Sequence, residues 1–516
     1  MERREFERVT PESVGISSRK VLEALDILES VEGTEPHGIV FMRHGKVFAE
    51  VWWSPYGKRI PHELFSMTKT YTATALGIAY TEGLVSLDDR LVDLFPEYSG
   101  GNTDERAARI KVRDVLRMAS GKPEQRCSTA DWARHFYEMD SKYEPGEKFS
   151  YSCEDTHSIE AIVQKVTGVP MDKYLNEKLF SKIGIDPCQI YWARLPDGSV
   201  IGCGGLFASN EDSMRLIQLY MQGGVWDGER ILAEDYVKEA VTSQIIAAEE
   251  RPQISEKWAD PGVEPGYGYQ IWTDLVGMSG VFAARGAIGQ IGVGIPEKDI
   301  VISYTQGSSG IGGDSSGILD VIGLIRASAS DAPLPDDHES YEKLKRRLET
   351  LSLGNPRVSQ YNDFSEDISG VRYETEEKRF TFRKALWNHI ADCDHIDPVD
   401  GVNWFEFDFD DKRLCVMKFE EQGECRSITI SMDGARRLNK YPLEKLDYID
   451  MAYFDGEWAA ENTLRVYARW VQTSFSIDVD FIFDGDGVTI EPVRICGEFD
   501  AHPLRKGSVH AHKCEK

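Results

Sequence analysis

The chain has little positive charge and no long hydrophobic run. Its 516 residues include 59 lysines and arginines against 87 aspartates and glutamates, which gives a formal net charge of −28. Nucleic acids and anionic membrane surfaces are bound through basic patches, so we expect neither as a partner. No apolar run approaches the roughly 20 residues that a membrane-spanning helix needs. The charged start Met1–Glu5 is not followed by the apolar stretch of a signal peptide, and we expect a cytoplasmic protein.

Cysteine and histidine are present without the spacing of a metal site or a disulfide framework. The nine cysteines are odd in number and form no C-x-x-C pair, and the 11 histidines form no H-x-x-x-H pair. Structural zinc sites and disulfide-stapled domains are recognised by such spacings. We therefore expect reduced thiols, no metal and no cofactor.

The length of the chain predicts more than one domain, because a single hydrophobic core rarely serves more than about 250–300 residues. Helical and strand patterns alternate as far as Ala332, where Asp331–Asp337, with two prolines, has the composition of a linker. We place a first domain at residues 1–332, a linker with a charged helix at 333–360, and a second domain at 361–516.

The second domain has the pattern of an all-β structure. Apolar and polar residues alternate at 404–409, 464–468 and 477–483, and Asp484–Gly487 is typical of a hairpin turn. Short strands separated by acidic turns predict a barrel or a sandwich.

The segment Phe65–Lys69 places Ser66 and Lys69 three residues apart at the start of a long apolar stretch. In a helix this spacing brings both side chains to one face, so the amine reaches the hydroxyl. A serine needs an adjacent base to become a nucleophile, and a buried lysine at a helix start is expected to have a lowered pKa that suits this role. S-x-x-K also occurs at Ser17–Lys20 and Ser340–Lys343, but these segments are polar and charged, and we interpret both as chance matches.

A second segment of interest is Tyr143–Cys153, which precedes a helix predicted from Thr156 to Thr167 and ended by Gly168. With Ser66 and Lys69, this segment completes a resemblance to the serine hydrolases of the β-lactamase and penicillin-binding-protein superfamily, in the branch of class C β-lactamases, esterases and D-aminopeptidases. That branch carries S-x-x-K, then Y-x-N or a variant, then a K/H-T-G-like strand.

Tyr151 matches the tyrosine of the second motif, and further phrases between residues 10 and 330 match the same branch in order. These phrases are Leu84–Pro96, Val115–Gly121, Gly204–Leu206 with Asp212, and Gly223–Gly228. The second domain is similar to the lipocalin-like β-domain appended to some of these hydrolases.

The third motif departs from the family pattern. Its position falls on Ala284–Gly286, so alanine stands where the family has a basic residue, and Arg285 or Gln290 is the candidate replacement. A glycine at 286 allows a substrate carbonyl to approach the strand backbone closely. The resemblance implies that the amides of Ser66 and Ala287 form the oxyanion hole, where fixed donors meet the developing charge.

The second motif also departs, because Cys153 stands where the family has asparagine. A thiol is a weaker hydrogen-bond partner than an amide, which both donates and accepts. Together with the missing basic residue, this change removes two groups that hold the amide and the carboxylate of a β-lactam or a peptide stem. We predict a substrate site formed by Cys153, Arg285, Gly286 and Gln290, and a preference for small esters or amides.

The resemblance implies an α/β (α+β) fold in which helices flank an antiparallel sheet. Strands at 38–53 should pair with strands at 281–305, and a helical insert at 85–200 should carry Tyr151. Ser66 would form an acyl-enzyme with a small-molecule substrate, with the choice between Lys69 and Tyr151 as the acylation base left open.

Two other interpretations stay open. One is a D-aminopeptidase or a β-lactamase-type amidase, and the other is an inactive relative that binds or senses a ligand. The oligomeric state is also open. We expect His157 to be a packing or surface residue. Most of the tryptophans, Trp272 among them, are expected in the core, with one or two aromatic residues lining the pocket.

Overall fold

The computed structural model describes residues 5–98, 104–123, 132–195, 197–247, 257–309, 315–353, 358–359, 362–383, 401–411, 413–443, 448–497 and 502–514. The predicted domain boundary at residues 360 and 361 lies outside them. Within the described ranges, no helix combines the length and the apolar composition needed to cross a membrane.

The first part of the chain is built from short and long strands with helices between them. The strands are β1 (Glu7–Arg8), β2 (Thr34–Arg43), β3 (Lys46–Trp52), β4 (His62–Glu63), β5 (Tyr191–Trp192), β6 (Leu206–Ala208), β7 (Val225–Trp226), β8 (Glu229–Arg230), β9 (Ile245–Ile246), β10 (Gly266–Tyr267), β11 (Trp272–Thr273), β12 (Phe282–Arg285), β13 (Ile291–Ile295) and β14 (Ile300–Ser308). The α-helices are α1 (Ser18–Ser30), α2 (Thr68–Thr81), α3 (Leu91–Leu94), α4 (Val112–Leu116), α5 (Trp132–Glu138), α6 (Cys153–Thr167), α7 (Met171–Leu175), α8 (Ser181–Ile183), α9 (Asn210–Met221), α10 (Glu234–Ala240), α11 (Ser316–Ser328) and α12 (His338–Thr350).

Nine strands form the central sheet in the order β1-β3-β2-β14-β13-β12-β11-β10-β9. The pairs are antiparallel apart from β1 with β3. Strand β14 pairs with β2 from Ile300 opposite Arg43 to Ser308 opposite Thr34. The α+β fold is therefore confirmed, including the expected pairing of the first strands with the last.

Each face of the sheet packs on its own layer of helices. Because side chains alternate along a strand, Val40 and Met42 of β2 join one core with α2 and α9, while Ile39 and Phe41 join the other with α1 and α11. Helices α3 to α8 form the helical insert and cover α2 from outside. Helix α2 is buried from Thr68 to Ala79, which matches its lack of a polar face and fixes the helix that carries Lys69.

The second part of the chain is a closed barrel. After helix α13 (Phe364–Ile368), its strands are β15 (Arg372–Thr375), β16 (Val402–Asp411), β17 (Leu414–Glu421), β18 (Glu424–Ser431), β19 (Leu438–Lys440), β20 (Met451–Ala460), β21 (Thr463–Trp470), β22 (Ser476–Asp484), β23 (Gly487–Cys496) and β24 (Val509–Lys513). The order β18-β17-β16-β15-β24-β23-β22-β21-β20 closes where Ser431 of β18 pairs with Asp455 of β20. The predicted barrel is confirmed, and Asp484 pairs with Gly487 across the β22–β23 hairpin, where the sequence predicts a turn.

Where the two parts of the chain meet, an apolar side chain of each part lies in the core of the other. Val471, which follows β21 of the barrel, lies in the core beneath the central sheet, and Phe207 of β6 lies in the barrel core. Tyr448 stacks on Tyr191 with ring centroids 5.5 Å apart. The barrel thus packs directly on the small sheet β4-β6-β5, which neighbours the predicted nucleophile.

Candidate active site

Ser66 lies in a short 3₁₀ turn, Phe65–Met67, that joins β4 to α2. Phe65 has φ 49°, a left-handed conformation that is strained for a bulky residue. This conformation turns the chain sharply from strand into helix. Its neighbours Phe65 and Met67 are buried, whereas Ser66 stays half-buried and open to a ligand.

Lys69 lies one turn further along, fully inside the protein. Its Nζ donates hydrogen bonds to Ser66 Oγ at 3.1 Å and to the carbonyl oxygen of Cys203 at 2.7 Å. The same Nζ is 3.8 Å from Cys153 Sγ. The serine and lysine of S-x-x-K are therefore in contact, and the carbonyl of Cys203, which the sequence analysis did not single out, orients the amine.

The protonation state of Lys69 differs from the sequence-based expectation. Burial lowers the pKa of its amine, but the negative charges that Cys153 and Tyr151 carry when deprotonated raise it, and the net result is a pKa well above the ordinary value. The expected lowering is wrong because the sequence did not show which acidic groups surround the amine.

Tyr151 completes the group, just before α6. Its ring lies 5.0 Å from Lys69 Nζ. Burial raises the pKa of Tyr151, and the positive charge of Lys69 opposes that rise. Because both pKa values are raised, a rise in pH favours the form of the pair that has lost one proton and is able to accept one from Ser66.

An aromatic cluster fixes the orientation of Tyr151. The Trp272 ring stacks on it with centroids 6.1 Å apart and an interplanar angle of 17°. Tyr267 and Phe149 pack against the same tryptophan at 5.0 and 5.9 Å. Trp272 is only half-buried and borders the site, as the sequence leaves open for one or two of the aromatic residues.

Strand β12 and the turn after it form the opposite side of the site. Ala284 is buried, and Arg285 is half-buried with its guanidinium carbon 5.8 Å from the Trp272 ring centroid. Gln290 is buried as well, where its amide donates to the Gln306 carbonyl at 2.8 Å and accepts from the Gln306 N–H at 3.1 Å. These bonds favour a structural role for Gln290 and leave Arg285 as the half-exposed polar candidate.

The protein's own backbone lies close to Gly286. A Cβ atom built on Gly286 would lie 2.2 Å from the carbonyl oxygen of Leu64, two residues before Ser66. Any larger residue would push β12 away from Phe65–Met67, the turn that carries Ser66 and is called the nucleophile turn below. The next turn, Ala287–Gly289, packs on Phe65–Met67, so the amides predicted for the oxyanion hole belong to adjoining turns.

Cys153 opens helix α6, where Ser152 accepts a hydrogen bond from Asp155 N and caps the helix. The predicted helix begins three residues too late, because this cap lies upstream of the apolar pattern. His157 is buried on the same helix, with Nε2 3.4 Å from Cys203 Sγ, and burial lowers its pKa to about 4. It is therefore a packing residue, one of the two roles predicted for it.

The other S-x-x-K serines have structural contacts. Ser17 caps α1 by accepting from Arg19 N at 3.2 Å, and Ser340 Oγ accepts from Arg19 Nε at 3.0 Å. Both serines lie on the layer formed by α1 and α12, away from Ser66.

Comparison with known proteins supports one family. The profile described as Beta-lactamase matches residues 37–315, more than half of the 516-residue chain. A 6-aminohexanoate-dimer hydrolase of Paenarthrobacter ureafaciens is 21% identical over 286 residues, which are 48% of this chain and 72% of that protein.

Two further comparisons bear on length and fold. A protein of Escherichia coli (strain K12) with the name "Putative D-alanyl-D-alanine carboxypeptidase" is 25% identical over 240 residues, 35% of this chain and 55% of that relative. The chain thus spans about half the length of this relative. The crystal structure of a family VIII carboxylesterase is similar in fold, with a TM-score of 0.50, 16% identity, and coverage of 63% of this chain and 100% of that one.

Proposed function

Because the chain belongs to the β-lactamase family, we propose that it is a serine hydrolase that forms an acyl-enzyme on Ser66. The observation that carries this proposal is the contact of Lys69 Nζ with Ser66 Oγ at 3.1 Å, with the Tyr151 ring 5.0 Å from the same amine. A half-exposed alcohol beside a buried amine and a half-buried phenol is the arrangement that an activated nucleophile needs.

The reaction begins when the Lys69–Tyr151 pair has lost one proton. Ser66 Oγ attacks the substrate carbonyl carbon and gives its proton to the pair, while the amides of Ser66 and Ala287 stabilise the oxyanion. Collapse of the tetrahedral intermediate breaks the bond to the leaving alcohol or amine, which takes the proton from the pair. A water molecule then attacks the acyl-enzyme, and its proton returns to Ser66 as the acid is released.

Small esters or small amides are the proposed substrates. Cys153 and Ala284 replace an amide and a basic side chain that would hold the amide and the carboxylate of a β-lactam or a peptide stem. The names of the relatives describe hydrolases of different acyl compounds. This range fits a shared acyl-transfer chemistry combined with different residues that hold the substrate. D-Aminopeptidase or β-lactamase-type amidase activity is the second candidate within this class.

Labelling with a fluorophosphonate probe tests the nucleophile. The wild-type protein should be labelled covalently and the modified peptide should contain Ser66, whereas Ser66→Ala should lose both labelling and turnover. Ser340→Ala is the matched control, because it removes the serine of a chance S-x-x-K pattern and should be labelled at the wild-type rate. An unlabelled but folded wild-type protein would favour the ligand-binding alternative, and an adduct on Ser17, Ser340 or Cys153 would refute Ser66.

A substrate panel then separates the candidates within the hydrolase class. We expect p-nitrophenyl esters of short acids to be the best substrates of a panel that also contains D-amino-acid amides and nitrocefin. Ser66→Ala serves as the blank for each compound. Turnover of a D-amino-acid amide above that of every ester would assign the D-aminopeptidase function instead.

A further inference from the structure

The barrel sends one turn into the part of the chain that carries Ser66. This turn, residues 471–475 between β21 and β22, is called the barrel turn below. Its residues are buried, and Thr473 and Ser474 are 0% exposed although both are polar. Connecting segments normally lie at the surface because their polar groups need partners, so a buried turn has to find those partners inside the protein.

The barrel turn finds its partners on Glu63, at the end of strand β4. Thr473 Oγ1 donates a hydrogen bond to Glu63 Oε2 at 2.7 Å, and the carbonyl oxygen of Gln472 accepts from Glu63 N at 2.8 Å. The side chain of Gln472 fixes the turn to the barrel itself, because its Oε1 accepts from the amides of Asp450 and Met451 at 3.0 and 2.9 Å. The turn is thus anchored on one side and holds Glu63 on the other.

Strand β4 depends on this support because it is only two residues long. Its paired edge faces β6, where Leu64 N donates to the carbonyl of Leu206 at 2.9 Å. The amide of Glu63 points the other way, towards the barrel turn. Glu63 itself is 4% exposed, so its carboxylate is not stabilised by bulk water.

Glu63 lies directly before the strained part of the nucleophile turn. The left-handed Phe65 is two residues further on, and the carbonyl of Leu64 lies against Gly286 with no space for a Cβ atom. A strained segment persists only when its surroundings fix it on several sides. A shift of Glu63 would therefore be transmitted to Ser66 and to its distance from the turn that starts at Ala287.

We propose that the barrel turn positions the nucleophile, with Thr473 holding the Glu63 carboxylate and through it the turn that carries Ser66. Thr473 is a positioning residue, since it contacts Glu63 and acts on Ser66 only through that contact. The kinetic part of this inference rests on the proposed hydrolase function. The structural part, the dependence of the Phe65–Met67 turn on Thr473, does not.

The same interface offers a matched control. Ser476, at the start of β22, donates its hydroxyl to Glu35 Oε2 at 3.1 Å and is also buried. Glu35 belongs to β2 and is further held by Arg469 and Arg494. Loss of the Ser476 hydroxyl therefore weakens the contact between the barrel and the sheet without removing a bond to Glu63.

The test compares three variants of the full chain. Thr473→Val keeps the shape but removes the hydroxyl, Thr473→Ser keeps the hydroxyl, and Ser476→Ala breaks the control bond. We expect Thr473→Val to lower kcat for a p-nitrophenyl ester and the rate of fluorophosphonate labelling about tenfold, with KM changed less than twofold. Thr473→Ser and Ser476→Ala should stay within about twofold of wild type in kcat, even where Ser476→Ala lowers the melting temperature.

Hydrogen exchange supplies the readout that does not need turnover. Amides in the peptide covering residues 62–68 should exchange faster in Thr473→Val and at the wild-type rate in Ser476→Ala. Unchanged exchange there in Thr473→Val, or equal acceleration in both variants, would overturn the positioning role. Equal loss of kcat in Thr473→Val and Ser476→Ala would overturn it as well.

The exchange result also separates this inference from the proposed function. A wild-type protein that is not labelled at Ser66 defeats the hydrolase proposal, whereas the exchange of residues 62–68 still decides what Thr473 does. Thr473→Ala, which removes the hydroxyl and reduces the bulk, replaces the valine variant if the latter does not fold.

Discussion

The active site has two sides, called the helical wall and the strand wall below, which differ in how many residues of the family motifs they keep. The helical wall, formed by the turn before α2 and the start of α6, has Lys69 in contact with Ser66 and 5.0 Å from the Tyr151 ring. The strand wall, formed by β12, has a buried alanine at 284 and a half-buried arginine at 285. Most of the residues predicted to hold the substrate thus lie on a different element from the groups predicted to break its bond, although Cys153 lies at the start of α6.

The packing of each wall explains this separation. Helix α2 is buried on every side, so a substitution that moves Lys69 disturbs the core on both faces. Arg285 lies at the end of its strand, against the half-buried Trp272. Substitutions at such a half-exposed position cost little stability, so the substrate preference is able to change without loss of the fold.

The largest expected effect is on the helical wall. Lys69→Met and Tyr151→Phe should each lower kcat about 10²- to 10⁴-fold, since each removes a proton carrier while keeping most of the side-chain volume. Combining them should cost far less than the product of the single effects, because the two groups act as a unit. Steady-state kinetics on a p-nitrophenyl ester measures this.

Lys122→Met is the matched control for the lysine variant. Lys122 is equally buried, at 1% exposed, but belongs to the helical insert beside Phe136. It should leave kcat unchanged whatever it does to the melting temperature. A Lys69→Met variant with wild-type kcat would show that the walls do not divide the work as described.

The next effect concerns substrate choice, through Ala284 on the strand wall and Cys153 on the helical wall. Wild-type turnover of p-nitrophenyl butyrate should exceed that of nitrocefin by orders of magnitude, because each missing charged or amide contact is worth about 1.5–3 kcal/mol. Cys153→Asn and Ala284→Lys should each raise the affinity for carboxylate-bearing lactams about 10- to 150-fold. Nitrocefin hydrolysis as fast as ester hydrolysis in the wild type would contradict this account.

Arg285→Ala is the companion variant for this measurement. If it abolishes residual lactam turnover, then Arg285 already holds the carboxylate and Ala284→Lys adds nothing. If ester kcat falls equally, Arg285 supports the fold of β12 rather than a substrate.

A smaller effect is expected from pH. The pKa values of Lys69 and Tyr151 are both raised, so the form of the pair that accepts the Ser66 proton becomes more populated as the pH rises. The value of kcat/KM should therefore increase by up to tenfold per pH unit from pH 6 into the alkaline range. Rates of p-nitrophenyl acetate hydrolysis, corrected with Ser66→Ala, measure this. A rate that falls over this range in folded protein would mean that the pair acts with its full set of protons.

The contact between Ser66 and Lys69 could be predicted from the sequence because the information is local: one helical turn sets their spacing. Runs of apolar residues locate the strands, whereas the pairing of the first strands with the last was implied by the family resemblance. The barrel was likewise predicted from the alternation of residues such as those at 404–409. Each of these patterns is complete within a short stretch of chain.

Contacts between distant segments could not be predicted in the same way. The Cys203 carbonyl that orients Lys69 is 134 positions away in the chain, and Thr473 is 410 positions from Glu63. The raised pKa of Lys69 depends on neighbours brought together only by folding. The sequence offers Gln290 as a replacement for the missing basic residue, but in the structure its amide bonds to Gln306 of β14.

The smallest expected effect on activity concerns a buried carboxyl group behind the helical wall. Glu160 of α6 is 4% exposed, and burial raises its pKa to about 8, against about 4.3 for an exposed glutamate. At Glu160 the folded state therefore binds one more proton than the unfolded state between these two pKa values. The contribution of Glu160 to the free energy of unfolding is fully present below about pH 4.3 and is lost as the pH rises towards 8. The loss approaches about 1.4 kcal/mol per pH unit inside this window.

Glu160→Gln should flatten this dependence, because the amide has the same shape and no charge to bury. Urea unfolding at pH 5, 6, 7 and 8 measures the slope, and Glu177→Gln, at an exposed site after α7, should keep the wild-type slope. Activity at fixed pH should stay within about twofold of wild type, since Glu160 lies behind the reacting groups. A large loss of kcat in Glu160→Gln with an unchanged stability slope would mean that this carboxyl group takes part in the chemistry, and the helical wall would then need a fourth member.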